Sequence, residues 1–172
     1  MTGVQTCALP ISEVFINAQN KIFVDIYQRK PVLRIIDQNG VSYYLDETGT
    51  RLPLSGHYSP RILVATRTIP PFVPDYQLRK EHLIKDLFQL TQMIREDEML
   101  ARLIEQVYVD IKGELVLIPK LGRQKILFGA FRDAEKKFRR LKIFYLEGLP
   151  YTGWRKYKTI NLKYKNQVVA GS

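Results

Sequence analysis

The sequence predicts an α+β fold: a mostly antiparallel, curved sheet with helices packed on one side and a strand at its C-terminal edge. Three observations predict it. Short β-rich runs are separated by glycine-containing turn signals. Two stretches repeat apolar residues at helical spacing instead: Leu83, Leu87, Leu90 and Ile94, then Ala134, Phe138, Leu141 and Tyr145. The last stretch, Thr159 to Ala170, opens in strict alternation. Ile160, Leu162 and Tyr164 point one way, and Asn161, Lys163 and Lys165 the other. The order is strands, helix, hairpin, helix, closing strand, which suits helices layered on one face of a sheet.

A chain of 172 residues holds one good core or two small domains. Its 45% hydrophobic and 26% charged content is that of a folded domain rather than a disordered one. The net charge of +10 points to a negatively charged partner without choosing among acidic protein, anionic polymer, lipid headgroup and nucleic acid. No apolar run of 18 residues or more is present, so nothing in the sequence reads as a membrane-spanning helix. The one cysteine, Cys7, cannot form an internal disulfide.

Residues Met1 to Ser12 read MTGVQTCALPIS, with no charge and no period. They lack the basic start and longer apolar region of a secretory signal. The segment is similar to the conceptual translation of sequencing-library adapter DNA. The expectation is a non-native tail over 1–12, a foreign Cys7 and a chain truncated on its N-terminal side.

From there the elements follow in order. Val14 to Ile16 and Ile22 to Tyr27, separated by Asn17 to Asn20, suit a hairpin. Pro31 forces an extended approach to the next strand, Val32 to Ile36. Asp37-Gln-Asn-Gly40 is a turn, because glycine accepts positive φ. Val41 to Leu45 returns, Asp46-Glu-Thr-Gly49 turns again, and Arg51 to Leu54 follows, completing a meander. Ile62 to Ala65 is a further strand. The run from Ile69 to Pro74 holds three prolines and reads as a connector rather than a helix or central strand. Gln77 to about Arg95 reads as an amphipathic helix. Glu96-Asp-Glu98 breaks it and opens a second helical segment, Met99 to about Glu105. Gln106 to Ile111 and Glu114 to Ile118 form a hairpin about Lys112-Gly113, followed by a strand at Lys125 to Phe128. Asp133 is expected to cap a helix running to Tyr145 and ended by Gly148 and Pro150. Trp154, in the loop after it, reads as an aromatic plug at the sheet edge.

Catalytic chemistry has little support. There is no phosphate loop and no cysteine–histidine metal spacing. His57 and His82 sit in different elements without a triad partner. Asp97 and Glu98 read as a solvated helix start, since no nucleophile lies near them. The helix 133–145 carries Lys136, Lys137, Arg139, Arg140 and Lys142, which raises a basic nucleic-acid-binding module as the alternative function. Its aromatics fall on the buried stripe, not among the cations, so a solvated basic face accounts for it better.

A strand at the end of the chain is a natural sheet edge whose unpaired N–H and C=O groups are either protected or used. Lysines on its outer face discourage arbitrary pairing and permit an acidic partner. Use of this edge by strand addition is the functional reading.

Several stretches taken together resemble one family. Asp25-Ile-Tyr-Gln-Arg-Lys-Pro-Val32 is similar to the junction where a POTRA-type domain hands over to a β domain. Gly40-Val-Ser-Tyr-Tyr-Leu-Asp46, Leu121-Gly-Arg123 and Ile160-Asn-Leu-Lys-Tyr164 fall in the order and spacing of FtsQ/DivIB, the bacterial cell-division family. Phe128-Gly129, Lys137-Phe138 and Glu147-Gly-Leu-Pro150 fit as well. The resemblance covers about Glu13 to Ala170.

The resemblance implies a non-enzymatic scaffold of the divisome at the division septum. It implies one N-terminal membrane helix, absent here, a POTRA domain and this β domain outside the inner membrane. Residues 13–30 would be the last hairpin of the POTRA domain and 31–172 the β domain. The implied partners are an FtsB–FtsL-type pair, with recruitment of septal wall-synthesis machinery. No cofactor, small-molecule substrate or nucleic acid is implied. Carried onto this chain, the family's last-strand contact falls on Lys163, Tyr164, Lys165, Asn166 and Val168. Backbone pairing runs from Lys163 through Val168, with packing by Tyr164 and attraction of a carboxylate by Lys163. Two departures stand out: Asn161 replaces the family's aspartate, and the apolar residue often found just after the strand has no counterpart before Ser172.

Overall fold

The computed structural model describes residues 11–16, 22–54, 56, 59–152 and 156–171. Cys7, the loop 17–20, His57 and Trp154 lie outside them. Strands β1 (Ile11–Ile16) and β2 (Ile22–Tyr27) form a two-stranded antiparallel sheet with Val14 opposite Val24. The expected hairpin is therefore present, and its first strand begins at Ile11, two positions ahead of the expected boundary at 13.

The remaining strands are β3 (Pro31–Ile36), β4 (Ser42–Asp46), β5 (Arg51–Leu52), β6 (Leu63–Arg67), β7 (Ile104–Val109), β8 (Leu115–Pro119), β9 (Lys125–Gly129), β10 (Thr159–Asn161) and β11 (Val169–Gly171). They make one nine-stranded sheet in the order β11-β10-β9-β8-β7-β6-β3-β4-β5. The pairings β3–β6, β6–β7 and β9–β10 are parallel, and the rest are antiparallel. The fold class is the one expected, α+β with a mostly antiparallel sheet.

One local device builds three of the turns. The sequences Asp37-Gln-Asn-Gly40, Asp46-Glu-Thr-Gly49 and Asp110-Ile-Lys-Gly113 share an aspartate three residues before a glycine. In each, the aspartate Oδ1 accepts backbone N–H groups two and four residues on. In each, the glycine N–H donates to the aspartate carbonyl. The glycines sit at φ of 81°, 81° and 76°, which a side chain resists. These turns set the register of β3–β4–β5 and β7–β8.

The helices occupy the two parallel crossovers. Helices α1 (Leu83–Glu96) and α2 (Glu98–Leu103) join β6 to β7. Helix α3 (Ala134–Ile143), a π-helical turn (Phe144–Gly148) and the short α4 (Leu149–Thr152) lead from β9 towards β10. The strand pairings make β6, β7, β9 and β10 run in one direction, and both crossovers step the same way across the sheet. A common crossover hand therefore puts both helical segments on one face. The packing agrees. Ile84, Leu87, Leu90, Leu100, Phe138 and Leu141 share one buried cluster with Leu33, Ile35, Val107, Leu117, Ile126 and Ile160 of the strands. On β4, Tyr43 and Leu45 join this core, whereas Tyr44 turns to the other face and packs with Leu52 and Ile62.

Helix limits differ from expectation in two places. Helix α1 starts at Leu83 rather than Gln77. The segment before it is held against the Asp46–Gly49 turn: the Tyr76 hydroxyl donates to the Gly49 carbonyl at 2.8 Å, and Gln77 Nε2 to the Thr48 carbonyl at 2.8 Å. Those tertiary bonds compete with helix formation and win. At the other end, Gly148 and Pro150 do not stop the helix that begins at Ala134. The chain widens into the π turn, where Leu149 N–H bonds to the Phe144 carbonyl, and continues as α4. Pro150 then stands in α4 directly after the widened turn, where the hydrogen-bond ladder already departs from regular α spacing.

Candidate docking edge

The stretch Thr159 to Ala170 is not one strand. Strand β10 covers Thr159–Asn161 and β11 covers Val169–Gly171, antiparallel to each other with Ile160 opposite Ala170. The inward alternation holds for Ile160 and Leu162, both fully buried, and fails at Tyr164, which is 52% exposed. Residues Lys163 to Val168, where backbone pairing with a partner is expected from the family resemblance, form the connection between β10 and β11, and β11 lies at the outer edge of the sheet.

Arg140, on α3, bonds along this loop. Its Nη1 donates to the carbonyls of Tyr164 at 2.5 Å and Gln167 at 2.7 Å, and its Nη2 to that of Leu162 at 3.2 Å. Carbonyls that a continuing strand would offer to a neighbour are turned towards one guanidinium. Within the loop, Asn161 Oδ1 accepts the Lys163 N–H at 3.0 Å, and Asn166 adopts φ of 61°, a left-handed conformation that asparagine tolerates.

The sequence-predicted residues are brought together on this loop with different surroundings. The Lys163 side chain crosses Gly129, where an added Cβ would lie 3.0 Å from Lys163 Cγ, and its ammonium pairs with the Glu114 carboxylate. Its charge is thus already met within the chain. Tyr164, Lys165 and Asn166 are exposed. Val168 is half-buried and packs on the main core. Asn166, Gln167 and Val168 form one wall of a groove of about 400 Å³, and Arg140, Ile143, Phe144, Glu147 and Gly148 form the other. The floor is apolar, and β11 begins at its end with Val169, 43% exposed. The groove and Arg140 were not anticipated from sequence. The cluster of cations on α3 was the only signal, and it does not say which one turns inward.

The basic helix is largely committed to the fold. Lys137 was expected on the solvated face and is buried instead. Its Nζ donates to the Ala130 carbonyl at 2.7 Å and lies 4.7 Å from the centre of the Phe128 ring. Burial pulls its ammonium below the ordinary lysine range. Lys142 pairs with Asp97 at 2.5 Å and Lys136 with Asp133 at 3.4 Å. Of the five cations, Arg139 is the one exposed and without an ion pair or hydrogen bond among those described. Asp133 holds the N-cap position of α3, but at φ of 51° its side chain makes no capping bond, contrary to expectation. An αL backbone turns the side chain away from the first-turn N–H groups.

The three side chains weighed as catalytic have structural partners. Asp97 Oδ1 caps α2 by accepting the Leu100 N–H at 3.1 Å, and Glu98 pairs with Arg102 at 2.6 Å. His82 caps α1, its Nδ1 accepting the Ile84 N–H at 3.2 Å.

No curated protein matches the chain. The family described as FtsQ/DivIB, C-terminal related, matches residues 30–171, from just before β3 to the end of β11 and so across the whole nine-stranded sheet. Over that span the chain belongs to the FtsQ/DivIB family of cell-division proteins.

Proposed function

We propose that this domain is a non-enzymatic divisome scaffold that captures an FtsB–FtsL-type partner by strand addition at β11 and helps recruit septal wall-synthesis machinery. Family membership supplies the cell-division role. The single observation that carries the mechanism is the position of β11 at the end of the sheet order, paired only with β10 among the described strands. Its outer backbone groups are the recognition element, and the groove beside it takes side chains of the incoming segment. Tyr164 packs on the partner, and Lys165 with Lys163 supplies positive charge. Because Lys163 already faces Glu114, Lys165 is the cation that meets a partner carboxylate most directly. Asn166 and Val168 contact the partner from the groove wall. A short added strand binds modestly, so the partner's remaining surface contributes too.

In this reading the domain sits on the outer side of the inner membrane at the septum, anchored by an N-terminal helix of the longer protein. The hairpin β1–β2 is the last piece of a POTRA-type domain. Among the described residues no helix is long and apolar enough to cross a membrane.

The test is a titration of the chain with a peptide from the extracytoplasmic end of an FtsB-type protein of the same genome. A version ending at Lys158 and the variant Tyr164→Glu run alongside. Binding lost in both, with unchanged circular dichroism for Tyr164→Glu, supports capture at the edge. Equal binding by all three moves the site elsewhere. Salt-sensitive binding of a nucleic-acid oligomer in place of the peptide would favour the basic-module alternative.

A further inference from the structure

Arg140 stands out as a cation whose hydrogen bonds run to four backbone carbonyls. Besides Leu162, Tyr164 and Gln167 across the groove, its Nε reaches the Lys136 carbonyl at 3.4 Å on its own helix. Three of these carbonyls belong to the loop between β10 and β11, outside both strands. A planar guanidinium, with its donors in a fixed fork, can span three carbonyls at once, which an ammonium on a flexible stem does not reproduce. The loop so held includes Asn166 in a left-handed conformation and ends where β11 begins.

We infer that Arg140 is the positioning residue of the docking edge, fixing the β10–β11 loop so that Tyr164 faces outward and β11 stays docked on β10 with its outer side open. The inference rests on the strand-addition reading above and deepens it. The partner segment meets a preformed edge, and the ordering of the loop is met within the chain rather than at binding. Helix α3 thereby acts on the edge through one side chain, although Arg140 itself need not touch the partner.

The deciding experiment uses the full chain, with Arg140→Lys and Arg140→Gln beside Arg139→Gln as a surface control. Amide hydrogen exchange is followed residue by residue, and the FtsB-type peptide is titrated into each protein. The expected result is at least tenfold faster exchange over residues 163–169 in both Arg140 variants, with β7 and β8 amides unchanged. Peptide affinity falls at least tenfold in both, and Arg139→Gln behaves as wild type. A merely structural role would speed exchange in the core strands as well. Wild-type affinity in Arg140→Lys, or an unchanged loop exchange pattern, overturns the inference. Failure of the wild-type chain to bind the peptide overturns the docking reading itself, and is told apart because it appears before any substitution is made.

Discussion

Asp97 and Lys142 join the two helical segments: the Lys142 ammonium of α3 lies 2.5 Å from Asp97 Oδ2 at the α1–α2 junction, 45 positions away in sequence. The other oxygen of the same carboxylate caps α2. Both bonds favour the charged form, the Lys142 bond most, and hold the Asp97 carboxyl below the ordinary range. A depressed carboxyl contributes stability that is full above its unfolded value and lost as pH falls through the folded one. Asp97→Ala is therefore expected to cost about 1–2 kcal/mol near neutrality, mostly from the lost cap. Asp97→Asn should cost less, because it keeps an acceptor. Urea melts at pH 7 and pH 3 check both points: the gap between wild type and Asp97→Ala should narrow at the lower pH.

His82 carries a second pH dependence of known sign. Burial, then the charge of Arg79, lowers its pKa. Its Nδ1 must be unprotonated to accept the Ile84 N–H. The neutral form is the folded one, so this contribution is present above the unfolded histidine value of about 6.5 and lost as pH drops below it. His82→Asn supplies a capping side chain that does not titrate in this range. Relative to wild type, it should flatten the fall in denaturation midpoint between pH 7.5 and pH 5. An identical pH profile in the two proteins would show that His82 does not report on the cap.

Two glycines in the same turn type should respond differently. Gly40 and Gly49 both sit at φ of 81°. A Cβ at Gly40 meets nothing within 4 Å, whereas one at Gly49 would lie 2.1 Å from Gln77 Nε2 and 2.4 Å from the Tyr76 hydroxyl. Gly40→Ala should cost about 1 kcal/mol from the left-handed backbone alone. Gly49→Ala should cost clearly more and should also loosen the segment before α1. Thermal melts give the ranking, and equal costs would mean that the turn moves away from Tyr76 without penalty.

The core under the docking edge rests on Phe138, whose ring centre is 5.1 Å from that of Phe128. Phe138→Ala should cost about 3–5 kcal/mol, since a large buried ring leaves a cavity. Arg139→Ala, one residue on and exposed, should change stability by no more than about 0.5 kcal/mol. Chemical denaturation of the two proteins measures the contrast.

Much of this arrangement was legible in the residues because it is local. The Asp-x-x-Gly turns are closed by their own aspartates. The apolar stripe of α1 and that of α3 appear as Leu87, Leu90, Phe138 and Leu141, all buried. The short motifs also sufficed for the family resemblance, since their order follows the strand order of one sheet. The start of α1 was less legible, because Gln77 and Tyr76 are diverted by partners 29 and 27 residues away.

By itself, then, the sequence determined the fold class, the main turns, the buried faces of α1 and α3, and the family. Tertiary structure alone decided that the closing stretch divides into β10 and β11, that Lys137 is buried and that Lys163 answers to Glu114. It also decided which cation of α3 reaches the edge. The physical reason is range. Periodicity records which residues leave water, a preference each residue expresses with its neighbours in the chain. Where a long cationic side chain ends depends on carbonyls and carboxylates brought near it by folding, as Arg140 finds those of Leu162, Tyr164 and Gln167 more than 20 positions away.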